Sequence, residues 1–168
     1  MPVIFKPINP KHLKAEAFTR AIEQEARPYA EGVKRDFEKT FQNWKAEHKP
    51  TLTVKVNINP NGGVSIEIDV EGQIYEYVHE GTRPHDIMPR RAKRLKFQSG
   101  YQAKTLPGRI ASVAGGPSGD TVFARGVEHP GFPGRKFSQQ IVKKWRQPFY
   151  KAMQRALDKG AKDSGHAI

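Results

Sequence analysis

The residues most able to do chemistry sit together in 77-YVHEGTRPHDIMPRRAKRLKF-97. His79-Glu80 and His85-Asp86 are two histidines, each followed by an acid, and His129 could join them from a distance. Imidazole and carboxylate are the donors a zinc or manganese site uses. The spacing, however, matches neither the i, i+4 pair of a helical zinc site nor a closely spaced carboxylate loop. Gly81-Thr82-Arg83-Pro84 forces a turn between the histidines, so nothing local aims them at one point. The expectation is no metal, with His79 packed in a sheet or an interface and His85 bonded to backbone in a loop.

Covalent catalysis has little to work with. Cysteine is absent, which leaves Ser or Thr as the nucleophile, excludes disulfides and fits a reducing compartment. No G-x-S-x-G, phosphate-cradling glycine loop or H-E-x-x-H occurs. The chain is expected to be no enzyme and to carry no cofactor; a His-dependent metal hydrolase remains an alternative.

Charge points elsewhere. The net charge is +12, and residues 83–109 hold eight bases (Arg83, Arg90, Arg91, Lys93, Arg94, Lys96, Lys104, Arg109) against the single acid Asp86. That excess favours polyanions or acidic protein surfaces as partners. Phe97 and Tyr101 could stack on bases, which keeps a basic nucleic-acid-binding protein as an alternative function. Leu95 and Phe97 also alternate with Arg94, Lys96 and Gln98 as in a half-buried strand, and the order of elements matches no established nucleic-acid module.

The elements around this stretch follow from periodicity. Asn9-Pro10 marks a helix start, and a stripe through Leu13, Phe18, Ile22, Val33, Phe37, Phe41 and Trp44 predicts an amphipathic helix. Pro28 should kink or split it, and Pro50 should end it. Leu52–Ile58 and Val64–Val70 alternate around Asn61-Gly62 and predict a β-hairpin. Ile74–Val78 fits a third strand or a short helix. Residues 99–120 carry Gly and Pro without periodicity and predict a long loop, mobile in a free subunit, whose flanks Leu95–Gln98 and Thr121–Val127 could pair as a stem. A second amphipathic helix runs through Ile141, Trp145, Phe149 and Leu157, with a kink at Pro148 and an end at Gly160.

The expected fold is α+β. An antiparallel β-sheet is covered by an N-terminal and a C-terminal amphipathic helix, with a long inter-strand loop or arm. One domain spans 1–168: an arm at 1–9, a core at 10–160 including the extended loop 99–120, and a flexible tail at 161–168. Ile22, Val33 and Phe37 are expected to pack on Val54, Val56, Ile66 and Ile68, joined by Trp145 and Phe149. No apolar run reaches the roughly 20 residues of a membrane span, and the first residues lack a signal-peptide core.

Tyr75–Thr82, His85–Pro89, Ala92–Phe97 and Val127–Gly131 followed by Phe137 together resemble the neck, minor tail and tail-completion proteins of tailed bacteriophages. Such chains read as an aromatic, V-E-x-G-T, H-x-I-x-P, L-x-F, then H-P-G before a C-terminal helix. The resemblance covers about residues 10–160, in order and spacing. It departs at His79-Glu80, where an acid and an aromatic commonly precede Gly-Thr. It implies a non-enzymatic virion protein that forms a ring at the head–tail junction, as neck, tail-completion or tail-terminator subunit. A hexamer is expected, with a dodecamer the other candidate. Partners would be further copies of the chain, neighbouring neck or head-closure proteins and tail-tube proteins, with DNA only a non-specific contact and no membrane. The location would be the virion, and the host cytoplasm during assembly. His79, Gly81, Thr82, His85, Arg90, Arg91, Lys93, Arg94, His129, Pro130 and Gly131 would then form a subunit interface or assembly arm. Gly81 would give a sharp turn after a strand, Thr82 would bond backbone in it, and His129-Pro130-Gly131 would lead into the final helix.

Overall fold

The computed structural model describes residues 12–59 and 63–166. The expected N-terminal arm and Asn9-Pro10 helix start lie outside the described residues, as do Asn61-Gly62 and the last two residues of the tail.

The first helix, α1 (Ala15–Thr40), buries Ala21, Ile22, Ala26, Ala30, Val33 and Phe37 along one face. Pro28 lies inside it without splitting it. Both Pro28 and Gln24, whose carbonyl loses its partner, are exposed, so water can reach the unbonded group. The helix ends well before Pro50, because the chain turns to send Phe41 and Trp44 into the core, edge to face at 6.2 Å.

β1 (Thr51–Ile58) and β2 (Val64–Glu71) pair antiparallel from Thr51↔Glu71 to Ile58↔Val64. Strict alternation turns Leu52, Val54, Val56, Ile66, Ile68 and Val70 inward, and α1 packs on β1. The segment that fits either strand or helix is helical: α2 (Gln73–Glu80).

From there the chain forms one interrupted ribbon. Its outgoing strands are β3 (Gly81–Thr82), β4 (His85–Ile87) and β5 (Leu95–Gln102). Its returning strands are β6 (Gly116–Ala124), β7 (Val127–His129) and β8 (Phe132–Pro133). The pairs β3–β8, β4–β7 and β5–β6 nest antiparallel. The helix α3 (Phe137–Asp163) then packs along α1 in the most extensive helix contact of the fold.

The fold is thus α+β with N- and C-terminal helices as expected, but its strands form separate two-stranded pairs, not one sheet. Both ends of the expected loop 99–120 are also strand. Pairing takes 95–102 and 116–124 and leaves 103–115 as connection. Gly100, Gly116 and Gly119 hide the strands, since glycine adds nothing to an apolar alternation and here accompanies a register shift between Gln98 and Gly100. The predicted stem does form, with Leu95↔Ala124 and Phe97↔Val122 in register.

One core joins Val33, Phe37, Phe41, Trp44, Tyr75, Phe137 and Ile141, with Leu52, Ile68, Val70, Ile110 and Trp145 packed against it. A smaller cluster holds Ala21, Ile22 and Ala156 against Ile58 and Val64. Val54, Val56 and Ile66 are half-buried and stand outside both clusters, so the hairpin contributes its two ends rather than its middle. Phe149 instead meets Tyr29 edge to face at 5.9 Å. Buried Asp36 accepts from Trp145 Nε1 at 2.7 Å and from Lys144 Nζ at 2.5 Å, which ties the helices together.

Gly160 does not end α3. It is buried inside the helix because a Cβ there would lie 2.9 Å from Phe18 Cα, so the helices approach closely at that point. The part of the expected tail described here is held: Ser164 Oγ accepts from the Lys14 N–H at 3.1 Å and donates to the Gly160 carbonyl at 2.8 Å. Pro148, like Pro28, lies on an exposed face within a continuous helix. Among the described residues no helix is long and apolar enough to cross a membrane.

Candidate assembly surface

The ribbon starts where two backbones nearly touch. Gly81 follows the end of α2 at φ 89°, and a Cβ there would lie 2.5 Å from Gly134 N and 2.6 Å from Phe132 O. Only glycine allows this packing, so Gly81 closes a helix rather than a strand as expected. The N–H groups of Arg135 and Lys136 donate to the Val78 and His79 carbonyls, both at 3.0 Å, and sew the end of α2 to the chain entering α3. Thr82 pairs through its backbone with Phe132, but its buried hydroxyl has no partner and does not bond the turn as expected.

His79 reinforces this junction. Its ring stacks on Tyr75 at 5.4 Å, its Nδ1 lies 2.7 Å from Glu80 Oε1, and its Nε2 lies 2.6 Å from Ser138 Oγ. Glu80 also forms an ion pair with Lys136. The hydrogen bond from Lys136, and then that from His79, hold the Glu80 carboxyl below the usual carboxylate range. Burial, and then the charge of Glu80, push the Tyr75 hydroxyl up to about 12.

Ser138, His79 and Glu80 stand in the order of a relay that activates a hydroxyl. The two clefts beside the ribbon are lined by neither Ser138 nor His79, and the acid is already committed to Lys136. Both ring nitrogens are engaged: Nε2 ties α2 to Ser138 in the first turn of α3, and Nδ1 holds Glu80, which reaches on to Lys136. Ser138 and Lys136 had no local signal in the sequence, since topology alone brings them to His79.

Further along, His85 and His129 face each other across β4–β7 with rings stacked 5.0 Å apart. His85 lies in strand β4 where a loop position was expected, and its Nδ1 donates to the Arg83 carbonyl at 2.8 Å, the backbone bond expected of it. His129 Nδ1 accepts from the Gly131 N–H at 3.0 Å. Gly131, at φ 74°, turns the chain past Pro130 towards β8 and α3 as expected. The fold therefore unites His85 with His129 and keeps His79 in a different cluster. Among the described residues no three His, Asp or Glu side chains are grouped to hold a metal ion.

Between β4 and β5 the chain bends at 90–94, opposite a bend at Arg125. Arg90, Arg91, Lys93, Arg94 and Arg125 are exposed there, and none forms an ion pair among the described residues. In β5–β6, Phe97, Phe123 and Tyr101 are 38%, 58% and 68% exposed. Such aromatics are costly to leave in water. One groove beside them is walled by Ile87, Leu95, Phe97, Tyr101 and Val127.

The far end of the ribbon is not free. Thr105 is buried and bridged to Ser112, whose N–H donates to the Lys39 carbonyl at 2.8 Å. Lys104 Nζ donates to the Asn43 carbonyl at 2.9 Å, and Ile110 packs on the core. Residues 103–115 are thereby bonded to the end of α1, where a mobile loop was expected. The expected arm is a strap, anchored at β3–β8 and again at α1, with its basic bend between. No family model, curated protein or solved structure matches the chain.

Proposed function

We propose that this chain is a non-catalytic structural subunit of a ring at the head–tail junction of a tailed phage, in a neck, tail-completion or tail-terminator position. The observation that carries the reading is the strap. β5 and β6 make their substantial element contacts with each other alone, and a two-stranded ribbon is marginal in water by itself. It nevertheless exposes three aromatic rings and unpaired bases, which suits a surface that a neighbour covers. The order of motifs from Tyr75 in α2, through the strap, to Phe137 in α3 is that of the phage proteins the sequence resembles. The subunit acts by shape and contact: head-to-tail association of unlike patches closes into a ring, expected to be a hexamer, that meets neck and tail-tube proteins.

A second reading, nucleic-acid binding, draws on the same unpaired bases beside Phe97 and Tyr101. Titration with DNA at rising salt separates the two. Weak binding that vanishes with salt supports the ring, whereas tight, sequence-selective binding at high salt supports the alternative.

A further inference from the structure

Resting on the ring reading, we infer that the basic bend of the strap docks on the outer face of the β1–β2 hairpin of the next copy of the chain. Among the described residues that outer face has no partner in the fold. The inner residues of β1–β2 turn to α1 and the core, while Ser65, Glu67, Asp69 and Glu71 all point outward and are exposed. Consecutive carboxylates on one side of a strand stand about 7 Å apart. Across the ladder they face Lys55, Thr53 and Thr51, so three acids meet one base. None of the three forms an ion pair among the described residues. In a chain of net charge +12 this is an acidic island on a sheet face that no described residue covers.

The strap supplies the complement. Arg90, Arg91, Lys93, Arg94 and Arg125 are exposed and unpaired at the bend, and arginine forks suit carboxylate rows. Lys96 and Phe123 oppose each other on one face of β5–β6, which adds an exposed apolar ring beside the charge. A phosphate backbone offers Phe123 nothing, whereas the Thr51 and Thr53 methyls do. The basic and acidic patches lie on different elements, which suits the head-to-tail contact that a closed ring uses. Copies that repel overall associate only where opposite charges align, and this sets the register.

Charge swapping tests the pairing. The face variant carries Glu67→Lys, Asp69→Lys and Glu71→Lys; the strap variant carries Arg90→Glu, Arg91→Glu and Arg94→Glu. All six positions are exposed, and circular dichroism checks that each variant folds. Sedimentation at low salt reads association. Each variant alone should associate about 100-fold more weakly than wild type, since like charges then meet. An equimolar mixture should recover association, because each swapped surface finds its opposite on the other variant. Wild-type association in either single variant overturns the docking and leaves the ring reading intact. Loss without recovery in the mixture, together with loss of DNA retention by the strap variant, assigns the bend to DNA and also overturns it. A wild type that stays monomeric with and without a tail-tube partner removes the ring reading itself.

Discussion

Phe37→Ala asks whether the stripe on α1 is a core or an interface. Phe37 is 1% exposed and shares one core cluster with Val33, Phe41, Trp44, Tyr75, Phe137 and Ile141. Truncation loses about 2–3 kcal/mol of apolar transfer. The cluster draws on α1, the turn after it, α2 and α3, which cannot all collapse inward, so the cavity adds about 1–2 kcal/mol, for a total of about 3–5 kcal/mol. For a chain of this size that lowers Tm by about 10 °C. The assay is urea unfolding followed by Trp44 and Trp145 fluorescence, with thermal unfolding alongside. Since total stability is of order 5–15 kcal/mol, Phe37→Leu serves as a milder partner, at less than about 1.5 kcal/mol. A Phe37→Ala effect within about 0.5 kcal/mol would show that the stripe is covered by another subunit, not by this fold.

Three further predictions concern the junction of α2 and α3. Ser138→Ala should cost about 1 kcal/mol by leaving His79 Nε2 without its partner, and a serine-directed fluorophosphonate should not label the wild type; labelling at Ser138 would make the relay catalytic. Because the Glu80 carboxyl is held below its unfolded value, its contribution is present above the ordinary carboxylate range and is lost as pH falls through the folded value. Urea midpoints of wild type and Glu80→Gln should therefore differ at neutral pH and converge in acid, and a gap that persists in acid would contradict the ion-pair account. Gly81→Ala should cost more than about 2 kcal/mol, from the left-handed backbone and the contact with Gly134 together. Calorimetry showing unchanged Tm would mean that the two backbones do not meet.

Local pattern carried the helices and the first hairpin, where apolar residues recur at a period of 3.6 or 2. It failed where a residue's reason is tertiary. Gly160 resembles a helix stop and is a packing contact with Phe18. Residues 99–120 resemble a loop because glycine carries no periodic signal, yet 99–102 and 116–120 are paired strand. At the candidate site, His85 and His129 were legible as residues, and His85 as a donor to backbone, though from a strand and not a loop. Their stacking was not, because the register of β4 on β7 spans the whole strap. Ser138 and Lys136 became partners of His79 and Glu80 only through the backbone bonds that bring α3 to α2. The bases at 90–94 were recognised by charge alone, and their placement at a bend between two anchored ends needed the fold.

The most direct test of the ring reading is the mass and shape of the purified full chain, by native mass spectrometry and negative-stain electron microscopy, alone and with a tail-tube protein. The account predicts a closed ring of identical subunits, six expected, in which hydrogen exchange of β5–β6 slows on assembly. A monomer under both conditions, with β5–β6 exchanging at the same rate throughout, would contradict it.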